Sequence, residues 1–325
     1  MTLGITVGKF HPFHLGHDHL LRTAKALVDH LVVLVGDAPG QTPPASVRAG
    51  WIRSVHPDVE VRVVAEDIPE TPAAWGARAL EVLGGRRPDL AFTSEAYGEP
   101  WAAAMGARHV AVDPDRAAVA ISGAALRADL GARWRLLTAP ARAHFARRVV
   151  VLGVESSGTT TLARDLAERL GTAWVPEVGR AYWEGRRWAP DAERWTSDDL
   201  LAIARGQAAL EDALAARADR VLVCDTDPLA TTVWHRRYVG GVCEALERLA
   251  AGRRCDLYLL TVPDFPFVQD GTRESEDLRE AMHGWFEEAL ARKGVPWIAL
   301  GGPHEVRLAR ALEAIAPLRR FAPIP

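Results

Sequence analysis

Short runs of β-branched and aliphatic residues alternate along this chain with longer stretches in which apolar residues recur every three or four positions. The runs predict strands over residues 3–7, 30–35, 59–64, 90–93 and 109–112. Between them the longer period predicts helices that end near residue 28 and span 45–54, 75–83 and 99–105. The same order restarts at residue 149. A strand over 149–152, a glycine-bearing turn and a helix ending near residue 170 are followed by strands over 173–175, 220–224, 257–261 and 297–300. Strands that alternate with helices make parallel sheets with crossover helices. The pattern therefore predicts an α/β protein with two parallel-sheet domains in series. Residues 137–147 show no period and include Pro140. This places a linker at 138–147, between a first domain of 1–137 and a second of 148–325.

Composition adds limits. With 325 residues, 48% hydrophobic and 25% charged, the chain is long and apolar enough for two packed cores. The net charge of −3, with cations and acids interspersed, opposes a nucleic-acid-coating role. Cys224, Cys243 and Cys255 lack CxxC spacing, so no disulfide framework or zinc site is expected. No apolar run approaches a membrane span, and the first residues do not read as a signal peptide. A cytoplasmic protein, with a homo-oligomer left open, is the expectation. The cations are unevenly divided: Lys9, Lys25 and Lys293 are the three lysines among 39 basic residues. Their positions therefore carry information.

Lys9 falls in the first strand-to-helix turn, Gly8-Lys9-Phe10-His11-Pro12-Phe13-His14-Leu15-Gly16-His17. Ligands of open parallel sheets bind beyond the carboxyl ends of the strands. A polyphosphate there needs fixed donors, and a helix start offers free N–H groups and a positive dipole end. His14 and His17, three apart, can face one phosphate group. Alternatively the turn is a histidine-rich loop or a metal site. The string resembles the GxFxPxHxGH signature of HIGH-type nucleotidyltransferases, and Ile121-Ser122-Gly123-Ala124-Ala125-Leu126-Arg127 resembles their ISxTxxR element. Ala125 stands where many members have a hydroxyl. The resemblance implies in-line attack of a mononucleotide phosphate on the α-phosphorus of ATP. Lys9, His14, His17 and Arg127 would hold the triphosphate with Ser122 in support, and Mg2+ would arrive with the ATP.

The second turn is Gly153-Val154-Glu155-Ser156-Ser157-Gly158-Thr159-Thr160-Thr161. Its glycines have the spacing of the phosphate-binding loop GxxxxGK[ST], whose backbone N–H groups cradle phosphates. A hydroxyl at Thr160 can reach Mg2+. The lysine position is Thr159. A hydrogen bond to a charged group is worth about 1.5–3 kcal/mol, so its loss costs roughly ten- to a hundredfold. Asp225 and Asp227 follow a β-branched run, as a strand-end magnesium site requires. Glu177 and Arg180 follow another strand, and residues 263–273 form a polar loop containing Arg273.

Together these strings resemble one family. GVESSGTTTLA, PEVGRAY, DTDPLATTVW and PDFPFVQDGTRE are similar to the ribosylnicotinamide kinase domain of the bifunctional NadR-type proteins. GKFHPFHLGH, TSEAYG and ISGAALR are similar to their nicotinamide-mononucleotide adenylyltransferase domain. Some members add an N-terminal helix-turn-helix module; this chain starts at the first transferase strand, so that module is expected to be absent. The resemblance implies ATP or NAD contacts at Gly8, Phe10, His11, Ser122, Gly123, Asp67, Trp75, Ser94 and Tyr97, with Trp75 against the nicotinamide ring. In the second domain it implies ATP contacts at Gly153, Glu155, Ser156, Ser157, Gly158, Thr159, Thr160, Thr161 and Arg273. Glu177, Arg180 and Tyr182 would meet ribosylnicotinamide. Asp225 or Asp227 would be base or magnesium ligand, with Thr160 on the metal. ATP and Mg2+ are the implied cofactors, nicotinamide mononucleotide and ribosylnicotinamide the substrates, and NAD the product. Two further readings stay open. The lysine-free domain could bind nucleotide as a sensor, unless Arg164, Arg273 or Arg279 replaces the missing charge. The transferase could also serve another phosphorylated acceptor.

Overall fold

The protein is described by a computed structural model covering residues 1–264 and 276–324. Two compact units divide the chain between Ala141 and Arg142. The first unit runs β1 (Leu3–Gly8), α1 (Leu15–Lys25), β2 (His30–Asp37), α2 (Ala45–Val55), β3 (Glu60–Ala65), α3 (Pro72–Val82), β4 (Leu90–Thr93), α4 (Gly98–Met105), β5 (Arg108–Ala111) and α5 (Gly123–Ala128). After α6 (Ala139–Phe145), the second runs β6 (Arg147–Gly153), α7 (Thr159–Leu170), β7 (Trp174–Val175), α8 (Val178–Arg186), α9 (Ser197–Ala215), β8 (Val221–Asp225), α10 (Pro228–Tyr238), α11 (Glu244–Gly252), β9 (Leu257–Thr261), α12 (Glu276–Lys293), β10 (Trp297–Leu300) and α13 (His304–Ile315).

Each unit holds a five-stranded, fully parallel sheet. The order is β3-β2-β1-β4-β5 in the first and β10-β9-β6-β8-β7 in the second. The strand that enters each unit is therefore central, and its carboxyl end opens at the middle of the sheet. Strands covered on both faces read as continuous apolar runs. The buried Val32, Val33, Leu34 and Val35 of β2 and Val149, Val150, Val151 and Leu152 of β6 have that form. The first core packs Ile5, Val32, Leu34 and Ala91 against Ala79, Trp101 and Met105 of α3 and α4. The second packs Val149, Val151, Val221 and Leu259 against Leu162 and Leu166 of α7 and Leu308, Ala311 and Ile315 of α13.

Two features differ from the expected boundaries. The segment expected as a linker is the helix α6. It is rich in alanine, and Pro140 falls in its first turn, where the missing N–H removes no helical bond. The chain end also leaves the second unit: Phe321 stacks on Trp134 with ring centroids 5.4 Å apart, and Ile324 N donates to the Arg127 carbonyl at 2.9 Å. No described helix is long and apolar enough to cross a membrane.

Candidate functional sites

At the carboxyl end of β1 the chain turns through residues 9–14 into α1. His14 caps that helix. Its Nδ1 accepts from Gly16 N at 3.1 Å and His17 N at 3.3 Å, while His17 Nδ1 accepts from His14 N at 3.4 Å. The two rings stack with centroids 3.6 Å apart. With Nδ1 an acceptor in each ring, the neutral imidazoles carry their protons on Nε2. His17 has a hydrogen bond with the Pro12 carbonyl. His14 Nε2 is buried and has no hydrogen-bond partner among the described residues. Burial, helped by the Arg116 charge, pushes His14 down to about 4. Burial and His14 push His17 well below the ordinary histidine range. At neutral pH both rings are therefore uncharged, and His14 presents an N–H donor with nothing to donate to.

The ISGAALR segment meets this turn from more than a hundred residues away. Ser122 caps α5 by accepting from Ala125 N at 3.1 Å, and Arg127 Nη1 donates to the His11 carbonyl at 2.9 Å. A Cβ at Gly123 would lie 3.2 Å from that carbonyl, and one at Gly16 would lie 3.3 Å from Ile121. Lys9 reaches Glu66 at 3.3 Å and keeps half its side chain exposed. His11 Nε2 bonds the Thr42 carbonyl at 2.8 Å. Phe10 is buried at φ +47, packs edge-on to His17, and lies over Gly8, where a Cβ would be 3.3 Å from its ring. The Tyr97 hydroxyl donates to the Val7 carbonyl at 3.3 Å. Ser94 follows β4 directly and is half-buried. Asp67 pairs with Arg78 at 3.0 Å, and Trp75 packs half-buried against the core of the unit.

Arg48 and Arg116 were not legible in the sequence. Arg48 is fully buried; it donates to the carbonyls of Pro43 at 3.0 Å, Gly36 at 3.0 Å and Lys9, and to Gln41 Oε1 at 2.7 Å. It therefore ties the histidine turn to the segment after β2. Arg116 pairs with Glu95 at 2.9 Å, and its charge acts on both His14 and His17.

In the second unit the loop after β6 enters α7 through Gly158 at φ +87, with Ser156 at φ +59. A Cβ at Gly153 would lie 2.2 Å from Thr261 Oγ1, so only glycine fits against the end of β9. Ser157 Oγ donates to the Val154 carbonyl at 2.6 Å and lies 2.6 Å from Thr261 Oγ1. Glu155, Ser156 and Thr161 are exposed, and Thr159 and Thr160 half-buried. Thr160 is hydrogen-bonded to Asp225 at the end of β8. Asp225 Oδ2 is buried without a hydrogen-bond partner among the described residues. Burial pushes Asp225 above the ordinary carboxylate range against the pull of Thr160 and Arg180. Burial and the charge of Asp225 likewise push Glu177 up, against Arg180. Thr160, Asp225, Glu177 and Arg180 thus form one electrostatic cluster beside the loop.

Asp227 does not join them. Its Oδ1 accepts from Ala230 N at 3.1 Å as the cap of α10, and its Oδ2 accepts from the Tyr258 hydroxyl at 2.8 Å. The motif Asp227-Pro228 reads as a helix cap followed by an N1 proline, a signal that separates the two acids. Tyr182 likewise turns away, its hydroxyl donating to Asp199 at 2.5 Å. Gln207 connects this region: its Oε1 accepts from Val178 N at 2.9 Å, and its Nε2 donates to the carbonyl of Thr226 at 3.3 Å. Of the arginines considered for the missing lysine, Arg164 is exposed beside Asp165 and Arg279 is buried. Arg273 lies outside the described residues.

Comparison with known proteins agrees with this division. A family model described as "Cytidylyltransferase-like" matches residues 5–71, and one described as "AAA domain" matches residues 148–307. The trifunctional NAD biosynthesis/regulator protein NadR of Escherichia coli (strain K12) is 30% identical over 294 residues, covering 84% of this chain and 72% of that protein. The NadR protein of Salmonella typhimurium is 28% identical, covering 97% of this chain and 82% of that protein. A crystal structure of NadR in complex with NR superposes with a TM-score of 0.77 at 23% identity, covering 98% of this chain and 96% of that one. Another, with NAD and AMP-PNP, gives a TM-score of 0.74 at 22% identity. These two establish the shared fold. Identity and coverage against the Escherichia coli protein establish the rest: the chain belongs to the NadR family.

Proposed function

We propose that the first unit transfers adenylyl from ATP to nicotinamide mononucleotide, giving NAD and pyrophosphate, and that the second phosphorylates ribosylnicotinamide with ATP. The observation that carries the first reading is the buried, unpartnered Nε2 of His14 beside the Arg127 and Ser122 segment. A neutral donor and a guanidinium fixed before substrate arrives suit charge that develops on a phosphate during transfer. Arg127 and Lys9 would balance the triphosphate, His14 and His17 would position it, and the mononucleotide phosphate would attack the α-phosphorus in line. Gly8, Phe10, His11, Ser122 and Gly123 shape that turn, and Ser94 and Tyr97 border it at the end of β4. Asp67, in the segment after β3, and Trp75, on α3, would have to meet the mononucleotide, and Trp75 gives up only its exposed part to do so.

In the second unit the phosphates would rest on the N–H groups of residues 153–161. Mg2+ fits beside them: Asp225 has a buried oxygen without a partner, next to the Thr160 hydroxyl, and both are hard oxygen ligands. When bound, the ion would neutralise charge on the β- and γ-phosphates. Glu177, its carboxyl raised above the ordinary carboxylate range by burial and Asp225, is suited to accept the proton of the nucleoside hydroxyl, with Arg180 on the developing phosphate. All three cysteines are thiols, which fits a reducing cytoplasm.

Acceptor identity is tested by pyrophosphate release across nicotinamide mononucleotide, phosphopantetheine, glycerol phosphate and sulfate. Preference for any of the last three would overturn the assignment. Thr159 favours a second reading, in which the second unit senses nucleotide without phosphorylating. ADP formation with ribosylnicotinamide no greater than in an Asp225→Ala control, together with binding of AMP-PNP to the second unit, would support it.

A further inference from the structure

Arg307, on α13, is 2% exposed and is among the largest fully buried side chains of the protein. Its guanidinium gathers acceptors from three segments. Nη1 donates to the Ser157 carbonyl at 2.9 Å, Nη2 to the Val262 carbonyl at 2.9 Å and to Asp264, and Nε to the Gly302 carbonyl at 2.8 Å. Ser157 belongs to the phosphate-binding loop, while Val262 and Gly302 follow β9 and β10.

A trans peptide is planar, so its C=O and N–H point in opposite directions. Holding the Ser157 carbonyl on a buried guanidinium therefore turns the Gly158 N–H the other way, towards the exposed side of the loop. Nothing in the peptide itself preserves that orientation. A flip would change ψ at Ser157 and φ at Gly158, and glycine accepts either sign of φ at similar cost. Gly158 stands at φ +87. The Ser157 hydroxyl is fixed by Val154 and Thr261, but this leaves ψ of Ser157 to be set by its carbonyl. After a flip the loop would show a carbonyl oxygen to phosphate. A lysine in the loop would offset one such dipole; Thr159 carries no charge to do so.

We propose that Arg307 is a positioning residue that locks the Ser157–Gly158 peptide with its N–H facing phosphate. In this lysine-free loop that lock sets the grip on a nucleoside triphosphate. The inference rests on the nucleotide-binding reading of the second unit, and it holds whether that unit is a kinase or a sensor.

Two variants of the full chain test it. Arg307→Met removes the lock. Arg307→Lys keeps a buried cation for Asp264, yet one compact ammonium cannot serve acceptors that the guanidinium reaches with three nitrogens. Phosphorylation of ribosylnicotinamide gives separate KM values for ATP and nucleoside. Hydrogen–deuterium exchange over residues 153–162, with and without AMP-PNP and Mg2+, reads nucleotide at this loop independently of turnover. The KM for ATP should rise about tenfold in Arg307→Met and about threefold in Arg307→Lys, with the nucleoside KM within about twofold of wild type. AMP-PNP protection of the loop should disappear in the first and weaken in the second. An arginine that only supported the fold would lower the melting temperature and kcat without moving the ATP KM. That result, or undiminished AMP-PNP protection, would overturn the proposal. If Arg307→Met does not fold, Arg307→Lys decides alone by the same two readings. Protection of the wild-type loop without turnover would remove the kinase reading, and the exchange data would still decide the role of Arg307.

Discussion

The two nitrogens of His14 carry different tasks: Nδ1 caps α1, and Nε2 is the donor left for a ligand. His14→Asn supplies a cap oxygen but moves the donor. It should keep folding stability within about 1 kcal/mol of wild type. It should also slow NAD formation roughly 100- to 1000-fold, the cost of losing one preorganised donor. Denaturant titration and an initial-rate assay measure the two effects. The same ring predicts a pH dependence. Its folded pKa, about 4, lies below the ordinary 6.5, so the unfolded chain takes the proton first. Stability should fall as pH drops from 6.5 towards 4, by roughly 3 kcal/mol at most, which denaturant titrations at pH 7.5, 5.5 and 4.5 would detect. Lys9, His14, His17 and Arg127 were legible because their spacing around glycine and proline is restrictive. Arg48 and Arg307 were not, since a buried arginine looks in sequence like any surface one. What distinguishes them is the set of backbone carbonyls that tertiary folding brings to them.

At the scale of elements, strands were the most legible part: β4, β9 and β10 lie where their apolar runs end. Helix starts were less so. α3 begins at Pro72, because Thr71 caps it and proline fits the first turn, ahead of the periodic residues that signal it. The strand-loop-helix unit around β6 and α7 makes a direct prediction. Thr159→Lys places a cation at the start of α7 and should raise phosphorylation of ribosylnicotinamide about ten- to a hundredfold. An unchanged rate in a steady-state assay would mean that a cation already occupies that role. Gly98→Ala separates fold from chemistry. Its Cβ would lie 1.9 Å from Thr93 Oγ1 and 2.3 Å from His109 Nε2, at the junction of β4, α4 and β5. A loss of roughly 1–3 kcal/mol in stability is expected, read by chemical denaturation of the first unit.

For the whole molecule, the two units carry opposite pH responses. In the first, His11, His14, His17 and His56 all have lowered pKa values, chiefly through burial, so acid weakens it. In the second, burial raises Glu177, Asp225 and Asp227, and burial with the Asp227 charge pushes Glu211 up to about 7 against its partner Arg253. Raised carboxyls contribute stability below their unfolded pKa and lose it as pH rises towards the folded value. His144 acts the other way in this unit, and the lowered Asp199 and Asp212 matter only below the carboxylate range. On going from pH 6.5 to 4.5, hydrogen-exchange protection, taken relative to the intrinsic exchange rate at each pH, should therefore fall in the first unit and rise in the second. Parallel changes would contradict the electrostatics. The division into two α/β units was legible from the restarted pattern, but the return of Phe321 to the first unit was not, because a stacking partner leaves no period in sequence. The two units should carry consecutive reactions on separate sites, which chromatography of mixtures containing ribosylnicotinamide, ATP and Mg2+ can follow. The wild type should form NAD. His17→Ala should stop at nicotinamide mononucleotide. Asp225→Asn should leave ribosylnicotinamide untouched yet convert added mononucleotide to NAD. NAD formation that survives His17→Ala, or a wild type that makes no NAD from mononucleotide, would contradict the account.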